Sequence, residues 1–266
     1  MISSLPDRLA QCLLASAPAD KLALTHALWA DWQQARVDAC AADERSGIAL
    51  PGRPPRPELV SPLDVPRRRL GSAEGRAAMI HAITHIEFNA INLALDAAHR
   101  FADMPVAYYA DWLKVAAEEA THFGLLSGHL ASLGHVYGDF AAHDGLWDMA
   151  LKTAHDPLLR MALVPRVLEA RGLDATPAIT RKLRDIGDAR AVEILAVIER
   201  DEIGHVAIGS RWFAYLCDVR GLDAAATFRQ ILSDYDVPPP RLPLNIEGRR
   251  QGGFSDAELA WLMGSV

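Results

Sequence analysis

Apolar residues recur at three- and four-residue intervals through most of the chain, the spacing of one face of an α-helix. The strict alternation of a half-buried strand is scarce, while alanine, leucine and arginine are abundant. The pattern predicts amphipathic helices over about 6–16 and 18–42. Ser72 reads as an N-cap for a long helix over about 73–102, and Met104 or Pro105 opens a second over about 104–134. A glycine-containing connection, 134–145, leads to a helix from about 145 to 171 that stops at Gly172, with Pro165 kinking it near Glu169. A shorter helix starts at Thr176-Pro177, and Asp188 caps another long one, about 189–220. A short helix near 222–233, the extended segment VPPPRLPLN running into IEGRR, and a last helix over about 255–264 complete an all-α chain.

The same pattern divides the chain. Residues 1–46 form an N-terminal helical extension, and 47–71 a linker with six prolines between Pro51 and Pro66. Residues 72–220 form the helical core, and 221–266 a C-terminal extension packing on it. No GxGxxG following a strand, Walker A loop or GxSxG elbow occurs, so nucleotide-fold and α/β-hydrolase readings lose their usual support.

Composition narrows the chemistry. A chain of 266 residues, half of them apolar, buries enough core to fold without a disulfide or structural metal. The three cysteines, Cys12, Cys40 and Cys217, are scattered, which excludes zinc ribbons, thiol-ligated iron–sulfur clusters and disulfide scaffolds. The expected setting is a reducing cytoplasm. A short apolar stretch behind Asp7 and Arg8 lacks the basic start of a signal peptide, and nothing is apolar for long enough to span a bilayer. A net charge of −7 argues against general nucleic-acid binding. The segment from Arg53 to Arg76, with six arginines against three acids, is either a solvated linker or a local patch for RNA or a phosphorylated substrate.

Two segments read ExxH, Glu119-Ala-Thr-His122 and Glu202-Ile-Gly-His205, and a three-residue step puts both side chains on one helix face. Both glutamates interrupt apolar stripes. Glu119 shares its face with Trp112, Val115, Phe123, Leu126 and Leu130, and Glu202 with Leu195, Ile198, Val206, Gly209 and Phe213. A carboxylate on a core-facing stripe must take up a proton, a cation or a metal. Two more fit: Glu87, among Ile80, Ile83, Ile91, Ala94 and Ala98, and Glu169, with Leu158, Ala162 and Pro165. Glu87 precedes Glu119 by 32 residues and Glu169 precedes Glu202 by 33, so one helix pair, Glu then ExxH, is repeated. Four inward glutamates and two histidines make the ligand set of a dinuclear carboxylate centre in a four-helix bundle. Oxygen and imidazole donors suit iron or manganese, with zinc a further candidate.

The stretches HAITHIEFNAINLALDAAHRF, DWLKVAAEEATHFGLL, RMALVPRVLEARGLD and IERDEIGHVAIGSRWF resemble the ferritin-like di-iron carboxylate superfamily. More narrowly they resemble the bacterial ferritin-like domain-of-unknown-function family 455, over about residues 50–254. The resemblance implies a ferritin-like four-helix bundle holding two metal ions on Glu87, Glu119, His122, Glu169, Glu202 and His205. By the same likeness the preceding acids, Glu118 and Asp201, hydrogen-bond the ligand histidines. Thr121 and Gly204 stand where an arginine often precedes the histidine, a departure from the desaturase and multicomponent monooxygenase branch.

Other residues near the ligand set have two readings each. Glu199 is an extra ligand or a salt-bridged side chain, and Thr84 a group facing the metals or one bonded to its own helix backbone. Arg166 is a charge partner of the site or a surface ion pair. His81 and His85 lie off the Glu87 face and read as structural; Trp112, Trp147 and Trp212 read as core. Gly124, Gly128, Gly204 and Gly209 are expected to permit close helix approach. The implied activity is that of an oxidoreductase using O2 as co-substrate on an unknown small molecule or RNA, with an electron-donor protein and a homodimeric assembly as expected partners. The alternatives are a ferroxidase or peroxide-scavenging protein and a metal-stabilised helical protein without catalysis. Against the former, the chain exceeds a minimal bundle and has no cysteine-bound iron site.

Overall fold

A computed structural model of the chain describes residues 3–38, 47–66 and 68–264. The fold is all-α as expected, with one two-residue parallel strand pair, β1 (Ser3–Ser4) with β2 (Val37–Asp38), among the described residues. The helices group into two compact units that divide between Leu151 and Lys152.

The first unit is built on α3 (Ala73–Arg100) and α4 (Val106–Ser132), which pack along their length, with α1 (Leu5–Leu14) against α3 and α2 (Pro18–Gln33) against α4. The Ser72 hydroxyl accepts from Gly75 N at 3.0 Å, the expected N-cap of α3. From Phe88 to His99 every residue of α3 is buried, so the helix has no solvent face and its polar side chains bond within it. Asn89 and Asn92 donate to His85 O and Phe88 O, both at 3.0 Å, and Asp96 accepts from Arg100 at 2.7 Å. The helix expected over 18–42 is shorter. It stops at Gln33, where Ala35 takes a positive φ of 52° and Val37 enters the strand pair; 39–42 and Cys40 lie outside the described residues. The carbonyls that α1 leaves unpaired at its end, Cys12 O and Leu13 O, are both capped by the fully buried Lys21 Nζ at 2.8 Å.

The connection after α4 turns at Gly134 and Gly138, with φ +81° and +110°, and seats Tyr137 against His81, His85 and Phe88 in the first half of α3. Tyr137 Oη bonds His85 Nδ1 at 2.8 Å, and its ring stacks on His81. His81 Nε2 accepts from Gly138 N at 2.9 Å, so both histidines are structural, and burial holds both down at about 4. The proline-rich linker is fastened at several points, while most of residues 58–71 remain exposed. Val60 N and Glu58 O pair with Ala142, Arg53 Nη2 reaches Asp144 at 2.7 Å, and Arg68 pairs with Glu74 and lies over the Phe140 ring. Those two arginines are committed to internal partners, and Arg67 lies outside the described residues. The unit closes with α5 (Gly145–Lys152) and the buried Trp147.

The second unit departs most from expectation. The helix predicted over 145–171 is broken at 153–156, because Asp156 precedes a proline and takes an extended backbone (φ −149°, ψ 119°). Asp156 then caps α6 (Pro157–Leu163) by accepting from Leu158 N at 2.8 Å. The helix widens into a π turn, Val164–Glu169, at Pro165, which lacks the N–H that a regular turn would use. It continues as α7 (Ala170–Asp185), passing through Gly172 and Pro177 where an end and a start were expected. Pro177 leaves Leu173 O without its helical donor, and Asn245 Nδ2 supplies one at 3.3 Å. Thr176 Oγ1 meanwhile donates to Gly172 O at 2.9 Å, so it bonds backward into the helix instead of starting one.

Asp188 caps α8 (Ala189–Val219) by accepting from Ala191 N at 3.0 Å, as expected. Of the four glycines expected to permit close approach, Gly209 on α8 does so: a Cβ there would overlap the Pro165 ring. Gly124 has only ordinary contact, and Gly128 and Gly204 have open space. After α9 (Ala224–Asp234), the segment expected to stay extended through IEGRR forms α10 (Ile246–Gln251), capped by Asn245 through Gly248 N at 2.9 Å. The last helix, α11 (Asp256–Leu262), starts with a capping box of Ser255 and Glu258.

Candidate metal centre

In the first unit the helix pair brings three predicted ligands together. Glu87 lies near the middle of α3, and Glu119 and His122 lie one turn apart on α4. All three are buried, Glu119 and His122 completely. His122 Nδ1 lies 3.3 Å from Glu119 Oε2 and 3.3 Å from Glu87 Oε2. One donor atom from each of the three lies within 4.8 Å of the others. Ile83, Ile91, Val115, Phe123 and Leu126 are buried on these same stripes, so the carboxylates have an apolar setting rather than water.

The electrostatics follow from that placement. Burial, and then the neighbouring Glu119 charge, push the Glu87 carboxyl well above its ordinary range, against the opposing pull of His122. Burial works against a charge on His122, but the hydrogen bonds to Glu119 and Glu87 outweigh it and push the imidazole up to about 11. Two buried carboxylates facing one imidazole nitrogen form a site that favours positive charge. The donor set, two carboxylate oxygens and one imidazole nitrogen, fits iron, manganese or zinc and suits neither a soft monovalent ion nor an all-oxygen calcium cage.

The second unit carries the matching residues. Glu202 and His205 lie one turn apart on α8, with His205 fully buried, Glu202 partly so, and His205 Nδ1 3.7 Å from Glu202 Oε1. Glu169 is the last residue of the π turn. The wide turn shifts its register relative to a regular helix through 164–169.

Each of the neighbouring candidates has a partner among the described residues. Thr84 Oγ1 donates to Ile80 O at 2.8 Å, its own helix backbone. Glu118 pairs with Lys114 at 2.7 Å, and Asp201 with Arg200 at 2.8 Å. Glu199 accepts from Asn245 Nδ2 at 3.3 Å. Arg166 is neither on the surface nor an ion pair of the ligand set: it is buried, bonds Glu258 at 2.6 Å, and lies against the rings of Phe213, Phe228 and Phe254. The partners overlooked in the sequence are Tyr137, Asn245 and Glu258. The Ser255-x-x-Glu258 capping signature marked a helix start, and Asn245, three residues before Gly248, marked another.

A family model described as "Protein of unknown function (DUF455)" matches residues 14–260, further toward the N-terminus than the motifs alone suggested. An uncharacterized protein of Haemophilus influenzae is 53% identical over 216 residues, covering 79% of this chain and 75% of that protein. No solved structure matches the chain significantly. No helix is long and apolar enough to cross a membrane among the described residues.

Proposed function

The chain belongs to the family described as "Protein of unknown function (DUF455)", and from its own residues we propose a ferritin-like oxidoreductase that uses a pair of metal ions, iron foremost, to activate O2 and oxidise a substrate. The observation that carries the reading is the buried group in the first unit, where His122 Nδ1 stands 3.3 Å from each of two carboxylates in an apolar interior. Its repeat in sequence, Glu169 with Glu202 and His205, supplies the remaining ligands that a dinuclear carboxylate centre requires. Glu87, Glu119 and His122 would hold the metals from one helix pair, and Glu169, Glu202 and His205 from the other. Iron on such a set supplies O2 binding and the electrons to reduce it.

The protein's own part is positional. Glu87 and Glu119 stay close and dehydrated on the buried stripes of α3 and α4, which raises their affinity for a cation. The i, i+3 step fixes His122 beside Glu119. The apolar residues around them exclude water that would quench a reactive oxidant.

Metal analysis of protein expressed with iron tests the site. About two transition-metal ions per chain are expected, and Glu119→Ala combined with Glu202→Ala should abolish them. Wild-type protein without iron, manganese or zinc would overturn the assignment. The oxidoreductase reading has its own test: the reduced protein, supplied with cell extract, should consume O2 beyond what its own iron accounts for. Consumption limited to the iron present would instead favour ferroxidase chemistry.

A further inference from the structure

The second unit contains a cavity of about 420 Å³, within the range of small-molecule sites, roughly 300–1,000 Å³. Its lining is mainly apolar: Phe228 and Leu232 of α9, the three prolines 238–240, and Trp261 of α11. Four arginines also line it, Arg166, Arg171, Arg229 and Arg249, and no carboxylate does among the described residues. Arg166 is answered by Glu258 and Arg249 by Asp174, each at 2.6 Å. Arg171 donates to the Pro238 carbonyl at 3.1 Å, and Arg229 is exposed. Among the described residues the lining therefore carries two positive charges in excess of its ion pairs.

Arg166 adds a second observation. Its side chain is 3% exposed, its guanidinium carbon is 4.2 Å from the Phe228 ring centre, and its Nε is buried without a hydrogen-bond partner. A buried donor left open costs free energy unless something accepts from it. An apolar chamber with surplus guanidinium charge discriminates between ligand classes. A free inorganic anion would leave the prolines and Trp261 without a partner. A neutral hydrocarbon would leave the charge unanswered.

We propose that this cavity binds a small amphipathic organic anion, with an aromatic or branched apolar body against the prolines and Trp261 and one acidic head group against Arg171 and Arg229. The site is separate from the metal ligands and stands whether or not they hold metal. The π turn places Arg166 and Val167 on the cavity and Glu169 three and two residues beyond them.

The test uses two fluorescent probes on the full chain. One is 1-anilinonaphthalene-8-sulfonate, an apolar body with one anionic group; the other is the uncharged N-phenyl-1-naphthylamine. The anionic probe should saturate one site per chain, accept energy from tryptophan in a way that Trp261→Phe reduces, and be displaced by decanoate but not by decanol. Arg171→Gln with Arg229→Gln should weaken the anionic probe by about tenfold, the scale of one lost charged hydrogen bond, and leave the neutral probe within about twofold. Absence of a saturable site overturns the proposal, as does an equal affinity of the anionic probe for wild type and the double variant. If the double variant fails to fold, the competition on wild type decides: displacement by decanol as effective as by decanoate overturns it.

Discussion

Replacing Glu87 by glutamine should make the metal-free protein more stable and the metal-treated protein less responsive. Glutamine keeps the shape of the side chain and removes the charge. In the metal-free chain, Glu87 and Glu119 offer oxygens within 4.8 Å of each other and of His122 Nδ1. Two like charges at that separation repel by about 3 kcal/mol at an effective dielectric constant of ~20. Glu87 escapes part of that by taking up a proton, the direction in which burial and Glu119 already push it. The His122 imidazole, pushed up to about 11 and 3.3 Å from Glu87, offsets more of it, so the expected gain for Glu87→Gln is smaller, about 1–2 kcal/mol. At about 2–4 °C per kcal/mol for a chain approaching this length, Tm should rise by about 2–8 °C in the presence of a chelator. With metal the order reverses. An ion present at about 100 times its Kd stabilises the wild type by ~2.7 kcal/mol, and the variant has lost a ligand. Thermal melts of both proteins with EDTA and with Mn²⁺ check this, as manganese avoids oxidation during the scan. The reasoning is refuted if the variant melts below wild type with EDTA, or if Mn²⁺ raises the Tm of both equally. The first result would mean that the carboxylate is satisfied without metal, the second that metal binds elsewhere.

Three further outcomes follow from other parts of the fold. Burial holds Lys21 down at about 7, while in the unfolded chain it titrates near 10.5. Between those values the unfolded chain binds the extra proton, so stability should rise by about 1–2 kcal/mol from pH 7 to 8.5. The window closes near pH 9, where the neighbouring Cys12 thiol, pushed up to about 11 by burial, acts in the opposite sense. Urea denaturation across that range should show the rise in wild type and lose it in Lys21→Met. Gly209→Ala should destabilise the second unit by about 1–3 kcal/mol, because the new methyl group meets the Pro165 ring and the π turn must shift; calorimetry reads this directly. Asn245→Ala removes both the N-cap of α10 and the donor to Leu173 O, and should cost about 1–3 kcal/mol in the same measurement. Combining it with Pro177→Ala, which restores the native helical donor to Leu173 O, should recover part of that loss.

Much of the architecture was legible in the chain because its signals are local. Ser72 and Asp188 announce α3 and α8 within their own first turns, and both cap as their residue types dictate. The ligand faces were legible for the same reason. A glutamate inside an apolar stripe stays on that face wherever the helix packs, so Glu87, Glu119 and His122 could be named before any distance was known. The Asp156-Pro157 break was equally local, and it was overlooked because the apolar spacing continues across it.

What only the tertiary structure decided depends on partners far away in sequence. Pro177 normally interrupts a helix, but α7 passes through it because Asn245, 68 positions later, completes the hydrogen bonding of Leu173 O. The π turn at Pro165 depends on Gly209 leaving room for the ring. Arg166, three residues before Glu169, reads as a charge partner of the site or a surface ion pair, yet its charge is answered by Glu258, 92 positions away. The sequence by itself determined where the long helices α3, α4 and α8 lie and which faces carry carboxylates, since both depend on neighbours within a turn or two. The tertiary structure decided how each buried charge and each broken backbone bond is satisfied, because a donor or acceptor from a remote segment can be placed there only once the chain has folded.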